Sequence, residues 1–492
     1  MTWREYHELT KHSPESLRRT PHVLDWDNMP DPFRHYEDVP VLDLPADPPI
    51  PEIPALELLQ GACGNKSAAD GPALLSQLLS YSAAISASKL VPSTGYRYAL
   101  RVNPSSGNLH PTEFHFLTRD LPGWPDGLYH YRPSSHMAEQ RAAGDIEIGS
   151  GTGAIVFVLT SVAWREAWKY RDRAYRYCLH DIGHAWQALA LSARAAGYDS
   201  FAIGHFPDDE ITRSCKLAED EWPMLVVEIR GIATGSELRG GATEWFGGLP
   251  NRLSSQQVAY PLIQEMHDAT SLNSGDHISE AELTGAEPDD RVVNVVLPSP
   301  AASKRAFGEA ARARRSALDF RGGTESISLA QLSAILSAAT QPLSADFAMT
   351  RFVRLYLYAH RVDGLQPGVY KYWPEHAGLE QIKSGDQRVA AAGLSLGQDL
   401  AGNACVAFSM IGDLGRAAHL HGNRGYRYVH FEAGAIGQRL YLAAEALGLG
   451  ATGIGAFFDD AVQRYLGLTS GQGQVVYHFA IGYPIPDPRV MA

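Results

Sequence analysis

The stretch Arg173-Ala-Tyr-Arg-Tyr177 recurs 251 residues later as Arg424-Gly-Tyr-Arg-Tyr428. At the same offset, Ile203-Gly-His-Phe-Pro-Asp-Asp209 recurs as Ile454-Gly-Ala-Phe-Phe-Asp-Asp460. Residues 172–209 align with residues 423–460 without a gap, and 16 of the 38 aligned positions are identical. Composition alone would give roughly two or three identities. A fixed offset of this kind indicates internal repetition. The chain is therefore predicted to be a tandem duplication of one α/β (α+β) unit.

Each repeat carries helix and strand signals around these motifs. Upstream, Gly127-Leu-Tyr-His-Tyr131 matches Gly368-Val-Tyr-Lys-Tyr372 at an offset of 241. After the R-x-Y-R-Y motif, apolar residues at helical spacing predict a long buried helix that stops at Gly197 in repeat one and at Gly448 in repeat two. Short apolar runs predict strands. These runs are Ala154–Val158, Met224–Glu228, Phe352–Tyr358 and Val475–Ala480.

Composition is that of an ordinary globular protein, with 492 residues of which 45% are apolar and 20% charged. The length suggests about two to three domains. A formal net charge of −13 repels polyanions, so no nucleic-acid partner is expected. The apolar runs are shorter than the ~18 residues of a membrane span, and the first residues lack the apolar segment of a secretory signal. We therefore expect a cytoplasmic protein with no membrane partner. The four cysteines are scattered without zinc-site spacing, so no metal site is predicted.

Proline content divides the chain. Nine prolines stand among the 34 residues from Pro21 to Pro54, and proline cannot propagate a helix or a central strand. Apolar residues in this segment favour an extended arm that lies on the folded body over a disordered leader. The predicted units are an N-terminal arm (1–74), a first repeat domain (75–235), a connector (236–300) and a second repeat domain (301–492).

A basic cluster interrupts the acidic background. Between Lys304 and Arg321 there are six basic residues and two acids. Such a run is either a solvated helix face or an anion site. The anion site is a candidate because arginine guanidinium groups and a serine hydroxyl near a helix start can bind a phosphate.

Three motifs together resemble the FMN-dependent nitroreductase superfamily: Arg314-Arg-Ser316 followed by Phe320, Pro104-Ser-Ser-Gly-Asn108, and the glycine-rich segment from Gly448 to Phe457. The G-L-Y-H-Y and K-Y-x-x-R-x-Y-R-Y stretches are similar to its SagB-type, azoline dehydrogenase branch. The resemblance implies two tandem nitroreductase-like domains that form an intramolecular pseudo-dimer, with FMN at their interface.

The resemblance also implies which residues hold the flavin. Repeat two keeps the phosphate-binding R-x-S and the glycine-rich turn, whereas repeat one keeps P-S-S-x-N, where repeat two reads Gln341 to Asp346. We therefore expect one intact FMN site and one decayed site in each chain. The predicted cofactor-binding residues are Arg314, Arg315, Ser316, Pro104, Ser105, Ser106, Asn108, Gly453, Ile454, Gly455 and Arg489.

Lys169 and Tyr170 resemble the Lys-Tyr pair to which azoline dehydrogenases assign proton removal, so we expect them to be catalytic. Repeat two has Leu420-His421 at the equivalent place.

One position departs from the family pattern. Leu318 stands where the family commonly has a cation near the flavin. The positive charge near the flavin would then have to come from Lys169 or Arg321.

The predicted function is that of an FMN-dependent oxidoreductase, in which hydride passes through flavin N5 at the interface of the repeats. The expected substrate is a small molecule or a peptide, and NAD(P)H is a candidate redox partner. Two alternatives stay open. One is a flavin-binding pseudoenzyme or scaffold, and the other is a zinc metallohydrolase using His180 and His184, which are four residues apart on one helix face.

Overall fold

The computed structural model describes residues 1–19, 22–66, 70–93, 95–144, 146, 148, 153–232, 243–275, 292–348 and 350–491. Within these ranges, no α-helix combines the length and the apolar character that crossing a bilayer requires. The α-helices described are α1 (Trp3–Leu9), α2 (Pro14–Arg19), α3 (Ala55–Leu59), α4 (Gly71–Ser80), α5 (Ala163–Tyr170), α6 (Ala174–Ala195), α7 (Asp208–Cys215), α8 (Pro261–Thr270), α9 (Phe307–Ala313), α10 (Leu329–Ala339), α11 (Arg388–Leu394), α12 (Asp399–Asn403), α13 (Leu414–His421), α14 (Gly425–Ala446) and α15 (Asp459–Leu466).

Strands alternate with these helices in both halves of the chain. They are β1 (Tyr36–Glu37), β2 (Val41–Asp43), β3 (Ile85–Leu90), β4 (Arg97–Arg101), β5 (Thr112–Thr118), β6 (Gly127–Arg132), β7 (Met137–Ala143), β8 (Ile155–Ser161), β9 (Asp199–Ile203), β10 (Trp222–Arg230), β11 (Glu244–Trp245), β12 (Leu249–Pro250), β13 (Val295–Val296), β14 (Ile327–Ser328), β15 (Val353–Ala359), β16 (Val362–Asp363), β17 (Gly368–Trp373), β18 (Gly378–Ser384), β19 (Val406–Gly412), β20 (Gly450–Ile454), β21 (Gln474–Gly482) and β22 (Val490–Met491).

Each repeat builds one antiparallel sheet with the same strand order. The sheet of repeat one runs β2-β7-β6-β5-β8-β10-β9, with β11 also at its edge, and that of repeat two runs β13-β18-β17-β15-β19-β21-β20. The four predicted strand runs lie in β8, β10, β15 and β21. The predicted duplication of an α/β unit is confirmed.

The helices that follow the R-x-Y-R-Y motifs are the longest in the described chain, and they cross at glycines. Both α6 and α14 have 22 residues and are buried over nearly their whole length. A Cβ on Gly183 would lie 2.2 Å from the carbonyl oxygen of Phe431, and one on Gly434 would lie 2.2 Å from that of His180. Because neither glycine has a side chain, the two backbones touch and the repeats pack face to face.

The proline-rich segment contacts the folded body through two short strands; Pro21 lies outside the described residues. Strand β1 pairs with β12, and β2 adds to the sheet of repeat one at β7. The main-chain N–H groups of Arg34 and Tyr36 donate to the buried carboxylates of Glu113 and Glu139, at 3.3 and 3.0 Å. The arm is therefore held by hydrogen bonds to the core.

A buried cluster of charges joins Asp459 of repeat two to repeat one. Its carboxylate accepts hydrogen bonds from Arg173 at 3.1 Å and from Arg176 at 2.8 Å. Burial alone would raise the pKa of Asp459, but the two guanidinium groups hold it below its ordinary value. The aspartate is therefore ionised, and repeat one supplies its counter-charges.

The symmetry-related cluster reverses these roles. Asp208 of repeat one accepts from Arg424 at 2.5 Å and from Arg427 at 2.7 Å. Against the opposing effect of burial, these arginines lower the pKa of Asp208. We call the two clusters the reciprocal clamps. The motifs that reveal the duplication are thus part of the interface between the repeats.

A short helix completes each clamp. The carbonyl oxygen of Thr10, at the end of α1, accepts a hydrogen bond from Arg173 at 2.7 Å. That of Thr270, at the end of α8, accepts one from Arg424 at 3.0 Å. Both helices carry the pattern H-x-x-T. The internal symmetry therefore reaches into the segments predicted as arm and connector, and the domain limits themselves stay a prediction.

Replacing Gly434 by Ala is expected to destabilise the folded chain by about 1–3 kcal/mol, as overpacking of a core does. The new Cβ would meet the backbone of α6 at 2.2 Å, so a main chain must move. This cost outweighs the ~1 kcal/mol by which Gly→Ala favours a helix. The free energy of unfolding from denaturant titration measures the change.

The matched control is Gly393→Ala in α11, where a Cβ would meet nothing within 4 Å among the described residues. This variant is expected to be as stable as the wild type or slightly more stable. Equal stability of the Gly434 and Gly393 variants would contradict the close helix crossing.

Candidate functional site

A cavity of about 980 Å³ opens between the two repeats. Its walls come from the P-S-S-G-N turn and α5 of repeat one, from the glycine-rich turn and C-terminal segment of repeat two, and from the arm. All the residues predicted to bind the cofactor or to react line this cavity. They are Pro104, Ser105, Ser106, Asn108, Lys169, Tyr170, Arg314, Arg315, Ser316, Gly453, Ile454, Gly455 and Arg489. Their individual roles stay predictions.

Arg314 is a buried cation with spare hydrogen-bonding capacity. Its Nε donates to the carbonyl oxygen of Val102 at 2.9 Å, and Nη2 donates to that of Arg101 at 3.1 Å. Among the described residues, none accepts a hydrogen bond from Nη1. Burial lowers the pKa of Arg314. An anionic ligand that accepted from Nη1 would both pair this donor and offset the buried charge.

Arg315 and Arg489 line the same cavity but are already bound to the protein. The guanidinium of Arg315 donates to the hydroxyl and the carbonyl oxygen of Ser86, at 3.0 and 2.9 Å. Arg489 forms an ion pair with Asp487 at 2.8 Å, and Asp487 also binds Lys89 at 2.8 Å. Nε of Arg315 is also buried without a partner among the described residues, but Arg314 is the more deeply buried of the two and is the first candidate for a phosphate contact.

The P-S-S-G-N turn is fixed by its own hydrogen bonds. The hydroxyl of Ser105 accepts a main-chain N–H at 2.8 Å. The N–H and hydroxyl of Ser106 donate to Asp181 at 3.2 and 3.1 Å. The amide of Asn108 donates to the carbonyl oxygen of Ala99 at 3.0 Å. These side chains hold the turn in shape, so a ligand would meet a preorganised wall.

Lys169 and Tyr170 end α5 and face Gly107 of that turn. A Cβ on Gly107, whose φ is +61°, would lie 2.8 Å from the Tyr170 hydroxyl and 3.2 Å from Nζ of Lys169. The rings of Tyr170 and Tyr177 are 4.5 Å apart. Burial, reinforced by the charge of Glu166, raises the pKa of Tyr170 well above its ordinary value. The phenol therefore keeps its proton at neutral pH.

The glycine-rich turn of repeat two is held by tyrosines of both repeats. The hydroxyl of Tyr441 accepts the N–H of Gly453 at 2.8 Å and lies 2.8 Å from the hydroxyl of Ser316. Tyr177 of repeat one donates to the carbonyl oxygen of Gly455 at 3.0 Å. A Cβ on Gly455 would lie 2.2 Å from the Tyr177 ring. The R-x-Y-R-Y motif thus positions the turn of the opposite repeat.

Sequence reasoning missed several residues of this wall. Tyr177, Asp181, Tyr441 and Tyr477 also line the cavity. Burial raises the pKa of Asp181 to about 7. The available signal was an acidic residue inside a helix predicted to be buried, because acidic residues are seldom buried unless they are paired.

The equivalent region around repeat two's P-S-S-x-N position is closed. The ring of Phe347 stacks on Tyr428, the equivalent of Tyr177, at 4.3 Å. It also contacts Gly204, the equivalent of Gly455, where a Cβ would lie 2.5 Å from it. The carboxylate of Asp346 accepts the N–H groups of Gly204 and His205 at 2.8 and 3.0 Å. Protein groups therefore use the space and the donors that a ligand would need here.

Leu318 lines the cavity. Of the two cations proposed to compensate for it, Lys169 also lines the cavity. Arg321 is more than half exposed and pairs with Glu325 at 3.0 Å instead. The side chain of Arg321 therefore forms an ion pair at the surface and does not line the cavity.

The histidines of the zinc alternative pack around Tyr477. The ring of His180 stacks on Tyr477 at 4.3 Å, and Nε2 of His184 lies 3.2 Å from its hydroxyl. Across the described ranges, no group of three or more His, Cys, Asp or Glu side chains could hold a metal ion. The geometry therefore gives the metallohydrolase alternative no support.

The residues present fit the FMN that the sequence resemblance implies. The cavity is at the upper end of the volumes usual for small-molecule sites. It offers a buried cation with an unpaired donor, a fixed turn, and two glycines, Gly453 and Gly455, where a side chain would clash with tyrosines. An anionic ligand of the size of FMN matches this combination.

Comparison with known proteins assigns both repeats to one family. The sequence model of the nitroreductase family matches residues 73–231 and 311–483, which is more than half of the chain. A solved structure, that of a candidate nitroreductase from Anabaena variabilis, is similar over 98% of this chain and 99% of its own chain, with a TM-score of 0.77 and 27% sequence identity.

Two curated proteins share sequence with parts of the chain. The candidate nitroreductase MJ1384 of Methanocaldococcus jannaschii is 33% identical over 114 residues, which is 23% of this chain and 58% of MJ1384. The microcin B17-processing protein McbC of Escherichia coli is 27% identical over 148 residues, which is 27% of this chain and 54% of McbC. The chain thus spans a little over half the length of each of these relatives.

Arg314→Gln is expected to weaken FMN binding by roughly 10- to 100-fold, because a hydrogen bond to a charged group contributes about 1.5–3 kcal/mol. Titration of the flavin-free chain with FMN, followed by quenching of flavin fluorescence, measures the affinity.

The control is Gln341→Ala, which lies in the segment at the closed site and is expected to bind FMN as the wild type does. Equal loss of affinity in the two variants would show that Arg314 has no specific contact with the flavin.

Proposed function

The chain belongs to the nitroreductase family, and we propose that it works as an FMN-dependent oxidoreductase with one flavin site per chain, built by both repeats. Family membership supports the oxidoreductase class. The observation that carries the proposal further is the convergence of thirteen sequence-predicted residues, from both repeats, on the wall of one cavity.

The residues divide the work of binding between the repeats. Arg314 and Ser316 of repeat two would contact the phosphate end, and the turn from Gly453 to Gly455 would pass beside the ring. The P-S-S-G-N turn of repeat one would cover the opposite edge. Because each half supplies contacts that the other lacks, neither repeat could hold the flavin alone. Because the second repeat takes the place of a partner subunit, one tandem chain would bind FMN without a second copy of the chain.

Bound FMN would supply two-electron redox chemistry by accepting hydride at N5. The chain's own residues orient the substrate and handle the proton that leaves with the hydride. Lys169 and Tyr170 face the same turn, so both lie within reach of a substrate placed there. Since Tyr170 keeps its proton at neutral pH, it would donate a hydrogen bond while Lys169 exchanges the proton.

The cavity also bears on the class of substrate. Trp26 and Phe33 of the arm and Tyr96 of the β3–β4 hairpin line it beyond the proposed flavin contacts. A likeness to a microcin-processing protein supports a peptide as one candidate substrate. A small molecule is the other, and NAD(P)H is the candidate source or acceptor of electrons. An azoline dehydrogenase of the SagB type is the specific activity that we propose.

Replacing Lys169 with Ala and Tyr170 with Phe together should leave FMN bound but slow its reduction by an azoline peptide by about 10² to 10⁴, the usual effect of a positioned acid or base. An azoline that becomes aromatic loses a hydride and a proton, whereas NADPH gives up a hydride alone. Reduction by NADPH should therefore stay close to the wild-type rate. Loss of flavin absorbance in stopped flow measures both rates.

His421→Phe is the matched control, because His421 occupies the place of Tyr170 beside the closed site. This variant should reduce its flavin at the wild-type rate. Full turnover of the azoline peptide by the double Lys169/Tyr170 variant would contradict a catalytic role for the two residues. Only the cofactor-binding part of the proposal would then stand.

A further inference from the structure

Glu166 and Asp181 form a pair of buried carboxyls next to the cavity. Asp181 on α6 lines the cavity and holds the N–H and hydroxyl of Ser106. Glu166 on α5 is fully buried, and the hydroxyl of Ser105 donates to it at 3.5 Å. Because Ser105 and Ser106 are neighbours in the chain, the carboxyls that they contact lie next to each other, and each carboxyl affects the pKa of the other. The pair thus lies behind the turn that Lys169 and Tyr170 face.

This pair lacks the counter-charges that several other buried carboxyls have. Glu113, for example, accepts from Arg165 at 2.5 Å. In the part of the chain that the structure describes, no salt bridge reaches Glu166 or Asp181, and Oε2 of Glu166 is buried with no hydrogen-bond partner. Two ionised carboxylates cannot donate to each other. A single proton between them would supply the missing donor and remove one buried charge.

The internal symmetry provides a comparison within the chain. The position equivalent to Glu166 in repeat two is Ala417. The position equivalent to Asp181 is Glu432, whose carboxylate instead accepts two main-chain N–H groups at 2.9 and 3.1 Å. The carboxyl pair therefore occurs on the side of the open cavity, and its counterpart is missing beside the closed site.

The surroundings of the pair contain one cation and several neutral groups. Lys169 lies one helical turn beyond Glu166 on α5. Tyr170 on α5, Cys178 on α6 and Tyr477 on β21 also interact with the pair, and burial raises the pKa of each well above its ordinary value. These three groups stay protonated at neutral pH, so Lys169 is the neighbour that we consider for proton exchange with the carboxyls.

We propose that Glu166 and Asp181 hold one proton between them and take up a second one during substrate dehydrogenation. This inference rests on the proposed function. In the step, one substrate C–H bond breaks and its electron pair leaves as hydride for the bound FMN. The proton lost from the adjacent atom passes by way of Lys169 and Tyr170 to the pair. The pair changes from one shared proton to two, and from a charge of −1 to neutral.

The electrostatics agree with this assignment. Burial raises the pKa of Glu166 well above its ordinary value and that of Asp181 to about 7. Below that pH the pair is already fully protonated and cannot accept the substrate's proton. Reduction by a proton-releasing donor should therefore become faster as the pH rises through about 7.

Infrared difference spectroscopy of the full chain tests the shared proton without turnover or flavin. The wild type is expected to show a neutral-carboxyl band that titrates at about pH 7. Glu166→Gln should remove or shift this band, and Asp181→Asn should do the same. Glu432→Gln is the control: burial raises the pKa of Glu432 to about 7 as well, so its band titrates in the same range, and this variant should remove that band while leaving the band of the pair in place. Identical carboxyl bands in the wild type and in both pair variants would overturn the inference.

Kinetics of the flavin-loaded chain test the role of the pair in turnover. Glu166→Gln should slow FMN reduction by an azoline peptide roughly 10²-fold and alter its pH profile, while slowing reduction by NADPH much less. Equal slowing with both donors and an unmoved pH profile would indicate a structural role and overturn the inference. A chain that binds no FMN would contradict the proposed function instead, while the infrared result would still decide on the proton pair.

Discussion

The reciprocal clamps are the constraint on which the rest of the structure depends. Each buries an aspartate of one repeat between two arginines of the other, and the same arginine-bearing motif positions the glycine turn of the opposite repeat through its tyrosine. A buried ion pair adds little stability over a well-packed apolar contact, but removing one partner costs about 3–5 kcal/mol. The clamps therefore act mainly by allowing one relative placement of the repeats. That placement creates the cavity, because its walls come from both halves.

Once the interface lies within one chain, its two symmetric sites are free to diverge. One site keeps an open cavity, the P-S-S-G-N turn, the Lys169–Tyr170 pair and the two buried carboxyls. At the other site, Phe347 packs against the glycine turn and Asp346 accepts its N–H groups. Leu420 and His421 stand there in place of the lysine and tyrosine. The clamps are intact on both sides. The open cavity is thus described at one of the two sites, while the packing that forms both sites is retained.

The sequence alone predicted much of this arrangement. The fixed repeat offset led to the duplication, the long helices and the strands, and the family resemblance led to the thirteen residues that meet at the cavity. The clamps could not be predicted, because Arg173 and Asp459 are 286 positions apart and an aspartate at a helix start is an ordinary feature. The pairing of Glu166 with Asp181 was equally hidden, since it depends on how α5 packs on α6. Arg321 was wrongly considered near the flavin because the sequence does not show which way the chain turns after Ser316.

The central claim is that the two repeats together form one flavin site in each chain. Native mass spectrometry of the purified chain, combined with its flavin absorbance, tests this most directly. The account predicts one FMN per 492-residue chain, retained when the protein is diluted to a monomer. Two tightly bound flavins per chain, or flavin that is lost as soon as a dimer of chains dissociates, would contradict it.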